Sequence, residues 1–158
     1  MKTVTDIEGK FREKIQQMAA SRGLGCRSPM RDDAIGQSRH MLELFRETDH
    51  RRDPYWLLYY SVRGPEDAKI WELRPSLIFD LQEETRNIRC EWGVLLVDGS
   101  PTSGYFLRSR HVHLLRQKWP QTENGNYRLT EEDLRNSRAT PYNSMEELAN
   151  VLNLTPGM

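Results

Sequence analysis

The stretch Tyr55-Trp56-Leu57-Leu58-Tyr59-Tyr60-Ser61-Val62 decides how this chain folds. It is too short and too aromatic for an isolated surface helix and has the composition of a buried strand. Arg63-Gly64-Pro65-Glu66-Asp67 then supplies a turn, and Lys69 to Leu73 reads as the returning partner strand. Pro75-Ser76 opens a helix to about Thr85, with proline in the first turn, where its missing amide is harmless. The pattern recurs roughly 35 residues later, within the usual range of repeat periods. Arg89 to Val97 is a strand, Asp98-Gly99-Ser100-Pro101 a turn, Gly104 to Arg108 a strand, and Ser109 caps a helix containing Val112, Leu114 and Leu115. Two ββα units predict an α+β fold: a mixed or mostly antiparallel sheet of four to five strands, flanked by helices.

Outward from this core, Thr5-Asp6-Ile7-Glu8 forms a capping box. Ile7, Phe11, Ile15 and Met18 follow as an apolar stripe, and Gly23 is placed to end that helix. Residues 23–33 read as a loop. Asp32 or Asp33 is placed to cap a second helix running to about Glu47, with Ile35, His40, Met41, Leu44 and Phe45 near its buried side. Residues 48–54 read as a charged linker closed by Pro54. Beyond the second unit, Tyr127-Arg128-Leu129 adds a short edge strand, and helices open at Thr130 and Ser144. The chain reads as a single domain, 1–158, with a helical part at 1–53, the duplicated sheet core at 54–118, and a short strand with C-terminal helices at 119–158.

A chain of 158 residues can bury a core without disulfides or metal. Its 23 basic and 23 acidic side chains cancel, so total charge draws it neither to nucleic acid nor to an anionic membrane. The charge is nevertheless uneven: residues 86–118 carry 6 basic and 2 acidic side chains, residues 119–158 carry 3 and 6. Cys26 and Cys90 lack a neighbouring ligand cluster, which argues against a disulfide scaffold or a zinc site and fits a reducing cytosol. The N-terminus lacks the apolar core of a signal peptide, and the longest apolar run is too short to cross a bilayer. These features lead us to expect a cytoplasmic protein with no membrane partner.

Three constellations carry potential chemistry. Glu8, with Asp32 and Asp33 and with Lys10 or Lys14 nearby, supplies the carboxylates and lysine that a Mg2+-dependent nuclease places around a hard cation. The plainer reading of Glu8 is a helix cap, since Glu-x-Lys points two ways on a helix. Arg108, Arg110, His111, His113 and Arg116, with Trp119 beyond, suit phosphate clamping and base stacking, or simply a solvated helix face. Arg27 and Arg31, with His50, Arg51 and Arg52, form a third set, able to hold an anion or to remain an exposed linker.

The arrangement over residues 33–85, with Tyr55 to Tyr60, the turn, Ile70-Trp71-Glu72-Leu73 and the helix from Pro75, resembles type II restriction endonucleases downstream of their catalytic strand. Gly104 to Ser109 and Tyr127 to Leu134 resemble later parts of such domains. The resemblance implies a PD-(D/E)xK signature on two adjacent strands upstream, with Mg2+ as its cofactor, and only Glu8-Gly9-Lys10 and the Asp32-Asp33 pair offer the residues for it. On this reading Glu8 and Asp33 would be the catalytic carboxylates of a nucleic-acid-binding, nuclease-like protein, hydrolytic or catalytically inactive. No metal-ligand set is defined, and whether the chain is an enzyme is left open. The alternative is a protein-interaction module, a homodimer or a subunit of a complex, without chemistry; zero net charge and acidic C-terminal helices beside a basic middle suit a complementary protein surface.

Overall fold

The apolar stripe of the first helix is the first expectation the structure meets. The computed structural model describes residues 4–27, 40–47, 52–63, 70–88 and 90–154. Helix α1 (Val4–Ser21) buries Ile7, Phe11, Ile15 and Met18 on one side. It ends at Gly23, whose φ of 74° is the left-handed conformation, with the Leu24 amide bonded to the Ala19 carbonyl at 2.9 Å.

Six strands make the main sheet, in the order β1 (Gly25–Arg27), β2 (Met41–Glu47), β3 (Arg52–Val62), β5 (Glu91–Val97), β6 (Gly104–Arg108), β8 (Thr140–Tyr142). All neighbours are antiparallel except the central pair, β3 and β5, which runs parallel with Tyr59 opposite Val94. The connection between these two contains α2 (Pro75–Ile88), as a parallel pair requires. Strands β4 (Ile70–Leu73) and β7 (Tyr127–Thr130) form a separate antiparallel ribbon. Short helices α3 (Ser109–Leu115), α4 (Glu131–Arg135) and α5 (Met145–Val151) complete the order, with a 3-10 turn at Arg116–Lys118.

Two apolar layers hold the sheet. On one face α1 and α5 pack over Leu42, Leu44, Trp56, Leu58, Tyr60, Leu95, Val97 and Phe106. On the other, α2, α3 and the β4–β7 ribbon cover Met41, Leu57, Tyr59, Trp92, Val94, Leu96 and Leu107. Strand β3 is therefore buried on both faces, which is why its sequence is a continuous rather than an alternating apolar run. Gly93 lets the β6 side chains cross close to β5: a Cβ there would stand 2.4 Å from the Phe106 ring.

The α+β class and the strands at 55–62, 91–97, 104–108 and 127–130 agree with expectation. Three features correct it. Among the described residues the sheet has six strands plus a ribbon rather than four to five strands. The first ββα unit is not a hairpin, because β4 pairs with β7 and β3 pairs with β5. Residues 41–47 form a strand, not the end of a helix; Met41 to Phe45 is a short apolar run whose period does not separate the two. The charged linker is also shorter than expected, since β3 begins at Arg52.

The caps at the C-terminal helices follow the sequence. Thr130 and Asp133 bond reciprocally through side chains and amides at 3.1 and 3.0 Å. Ser144 accepts from the Glu147 amide, but the Glu147 carboxylate reaches Asn143 rather than the cap residue. Among the described residues no helix is long and apolar enough to cross a membrane.

Candidate functional site

Strand β3 joins two polar regions, one at each end. At its Tyr60 end, α1 lies across the sheet and brings Glu8 and Arg12 onto the Tyr60 phenol. The phenol donates to Glu8 Oε1 at 2.8 Å and accepts from Arg12 Nη1 at 2.7 Å. The Phe11 ring packs on Tyr60 with centroids 5.0 Å apart. His40, just before β2, places Nδ1 4.0 Å from the same Glu8 oxygen and its ring edge against Tyr60. Burial and the Glu8 hydrogen bond push the Tyr60 pKa up to about 12, against Arg12, which lowers it. The phenol therefore stays protonated at neutral pH and serves as the donor that holds Glu8.

The resemblance to PD-(D/E)xK domains implies an acid and a lysine on two adjacent strands upstream of β3; of the residues that offer them, Glu8 and Lys10 stand on α1, and Asp32 and Asp33 lie outside the described residues. Residues 55–62 of β3 contain neither an acid nor a lysine. The acid inside β2, Glu43, is buried and pairs with Arg27 of β1 at 3.2 Å. Lys10 does not join Glu8; it pairs with Glu13 at 3.9 Å in solvent. Among the described residues no three His, Cys, Asp or Glu side chains gather as a metal site would need. Among the described residues the donor set fits a Mg2+ ion poorly: beside the Glu8 carboxylate stand a neutral phenol, an imidazole and a guanidinium, none of them a second anionic oxygen and the last repelling a dication.

The Tyr55 end is different. It lies five residues back along β3, roughly 16 Å away at about 3.3 Å per residue. Here β3 and β5 begin, β6 ends and the C-terminus of α5 closes over them, leaving a cleft of about 400 Å3 between Tyr55, Trp56, Glu91, Arg108 and Asn153. Trp56 is buried, and its Nε1 donates to the Leu152 carbonyl at 3.0 Å. Arg108 lies over the Trp56 ring, with Cζ 5.8 Å from the centroid. It reaches the Val151 carbonyl at 3.4 Å and Glu91 at 3.9 Å, long contacts that leave most of its five donors available.

Arg108, in the cleft wall, ends β6; Arg110 follows two residues on, and Arg138 stands two residues before β8, the strand paired with β6, so the three form a cationic rim. Exposed Arg110 and Arg138, together with Arg108, act on the half-buried His111 and, after burial, keep its imidazole below the ordinary pKa of 6.5. Its Nδ1 has no hydrogen-bond partner among the described residues. His111 is thus neutral at pH 7, with three guanidinium groups close enough to act on its ring.

The structure scatters the remaining expected residues. His113 faces away from the rim, with the Gln82 amide nitrogen 2.6 Å from Nε2 and 3.1 Å from Nδ1 and the Trp92 ring at 5.5 Å. Arg27 is spent on Glu43 and on the Phe45 ring at 5.3 Å. Arg52 begins β3 opposite Glu47, and Arg116 lies in the 3-10 turn; their side chains fall outside the described residues. Asp32, Asp33, Arg31, His50 and Arg51 also lie outside them. Trp119 is core, edge-on to Tyr127 at 5.6 Å. The thiols of Cys26 and Cys90 are both pushed up to about 11, chiefly by burial, so neither is a thiolate at neutral pH.

Sequence reasoning missed Tyr60, Arg12 and His40 as partners of Glu8, and Arg138 as a member of the rim. One signal was present for Tyr60: a tyrosine inside a buried run must find a partner for its hydroxyl. Nothing local marks Arg138, which strand β8 returns to the end of β6 from about 30 residues away, a separation the chain bridges only through the fold.

No family model matches this sequence, and no curated protein matches it. Among solved structures, the chain is similar to Hjc, a Holliday junction resolvase from the archaeal hyperthermophile Archaeoglobus fulgidus. The TM-score is 0.55 at 12% identity, covering 93% of this chain and 96% of that one. D212, a nuclease from a fusselovirus, superposes with a TM-score of 0.48 at 11% identity over 92% of this chain and 86% of its own. The agreement with the resolvase extends over nearly the whole of both chains and is one of fold.

Proposed function

We propose that this protein binds nucleic acid on a nuclease-like fold and does not hydrolyse it. One observation carries the reading: the rim arginines and Glu8, one of the two expected catalytic carboxylates, stand at opposite ends of β3. Phosphodiester hydrolysis needs phosphate, metal and attacking water at one point. Here Arg108 lines the Tyr55 end, with Arg110 two residues further along the chain and Arg138 just ahead of β8, the strand paired with β6, while Glu8 is bonded to the Tyr60 phenol at the other end. The fold shared with a resolvase supports nucleic acid as the ligand class, and the rim supplies the phosphate contacts that position a protein on it.

The test uses end-labelled four-way junction, duplex and single-stranded oligonucleotides, incubated at low ionic strength with and without Mg2+ or Mn2+. The expected result is binding that weakens steeply with salt and leaves every strand full length. Metal-dependent cleavage that disappears in Glu8→Gln or Asp33→Asn would contradict the reading and restore Glu8 and Asp33 as catalytic carboxylates.

A second reading, the protein-interaction module, is favoured by two apolar side chains on neighbouring helices. Phe79 of α2 is 60% exposed and Leu114 of α3 is 69% exposed. Light scattering separates the two: a dimer that Phe79→Asp or Leu114→Asp converts to monomer supports an apolar interface, and a monomer at high concentration opposes it.

A further inference from the structure

We infer that the cleft at the Tyr55 end receives a single unpaired nucleotide, held while its flanking phosphates lie on the arginine rim. The inference rests on the nucleic-acid reading above and names the part of the ligand that reading leaves open.

Four features of the cleft point the same way. Its size, about 400 Å3, suits a nucleotide-sized ligand and is far too small for a duplex. Its mouth carries an aromatic side chain, Tyr55, 39% exposed, with the Arg46 guanidinium 5.9 Å from its ring centroid. Exposed aromatic rings are the surfaces on which unpaired bases stack, and a guanidinium on the ring adds a cation-π contribution. Its inner wall is the buried Trp56, whose Nε1 donates to the Leu152 carbonyl, with Arg108 over its ring.

The fourth feature is Asn153. It occupies the left-handed region, φ 58°, because it follows the end of α5, where its amide bonds the Asn150 carbonyl at 3.0 Å and the Leu154 amide bonds Ala149 at 2.9 Å. Helix capping thus fixes the backbone of a residue whose side-chain amide both donates and accepts at a base edge. Glu91, across the cleft, accepts only, and suits an exocyclic amino group. A phosphate approaching Arg108 meets donors that Val151 and Glu91 hold only at 3.4 and 3.9 Å.

The experiment compares two duplexes of equal length, one fully paired and one with a short single-stranded gap carrying 2-aminopurine, the gapped one having the fewer phosphates. Anisotropy gives the affinities, and 2-aminopurine emission reports the environment of the unpaired base. The gapped substrate is expected to bind at least tenfold tighter, with a change in emission. Tyr55→Ala should remove about tenfold of that preference, a typical stacking effect, without altering the affinity for the paired duplex; Tyr55→Phe, which keeps the ring, should retain the preference. Thermal melts of each variant confirm folding. Equal affinity for both substrates, or an equal loss on both in Tyr55→Ala, overturns the nucleotide pocket while leaving rim binding in place. No salt-dependent binding of either substrate overturns the nucleic-acid reading and the pocket together.

Discussion

The two ends of β3 are built from similar materials and put to opposite use. At the Tyr60 end, a carboxylate, a phenol, a guanidinium and an imidazole close on one another within hydrogen-bond or ion-pair distance. At the Tyr55 end, arginines and an aromatic ring face an open cleft, held by contacts of 3.4 Å and longer. Polar groups that satisfy each other internally stabilise a fold and have little left for a ligand. Groups held loosely at an edge by a rigid scaffold have donors to offer. On the proposed reading, the Tyr60 end is structural and the Tyr55 end binds.

The largest effect should come from reversing the rim. Arg110→Glu with Arg138→Glu should weaken nucleic-acid binding by about 100-fold at low salt, since each phosphate contact contributes a full counterion term. Anisotropy measures this directly, and an unchanged affinity would place binding outside the Tyr55 end. Gly93→Ala strikes between the two ends. Its methyl would stand 2.4 Å from the Phe106 ring, which packs edge-on against Trp56 at 5.5 Å. Overpacking of this kind costs about 1–3 kcal/mol, readable by denaturant titration, and should also blunt the cleft.

Tyr60→Phe should act on one end alone. It removes the hydroxyl that donates to Glu8 and accepts from Arg12, and should lower stability by about 1 kcal/mol with no effect on nucleic-acid affinity. A loss of affinity would join the two ends that we hold apart. The smallest effect concerns His111. Its folded pKa lies below 6.5, so the native state prefers the neutral imidazole. Stability should hold above pH 6.5 and decline as pH falls through the lowered value. A bound phosphate opposes that shift, so affinity should rise a few-fold on acidification, on the order of one added charge contact. In His111→Gln both dependences should flatten, as denaturant titration across pH and anisotropy would show.

Much of this contrast is legible in residue order, and the rest is not, for identifiable reasons. Helix α1 is legible because Ile7, Phe11, Ile15 and Met18 keep one period throughout. The run Trp56 to Tyr60 is legible as a strand, yet its partner is not. Gly64-Pro65 suggests a hairpin, whereas the unbroken apolar character of 56–60 and 92–97 is the sign of two strands buried on both faces, hence parallel. Met41 to Phe45 fits a helix as well as a strand because five apolar-leaning residues suit either period, and Glu43 looks exposed until Arg27 of β1 accounts for it. Arg108, Arg110 and His111 are legible as a group since they share one short segment. Glu8 and Tyr60, 52 residues apart, become partners only once α1 is laid across the sheet.

The separation of the ends is tested most directly by the slope of log affinity against log salt for a duplex oligonucleotide. Relative to the unaltered protein, Arg110→Ala with Arg138→Ala should flatten that slope by about 2, close to one unit for each phosphate no longer neutralised, while Glu8→Gln leaves both slope and affinity where they were. A double-arginine variant with the original slope, or a Glu8→Gln protein that no longer binds, would contradict the division of β3 into a structural end and a binding end.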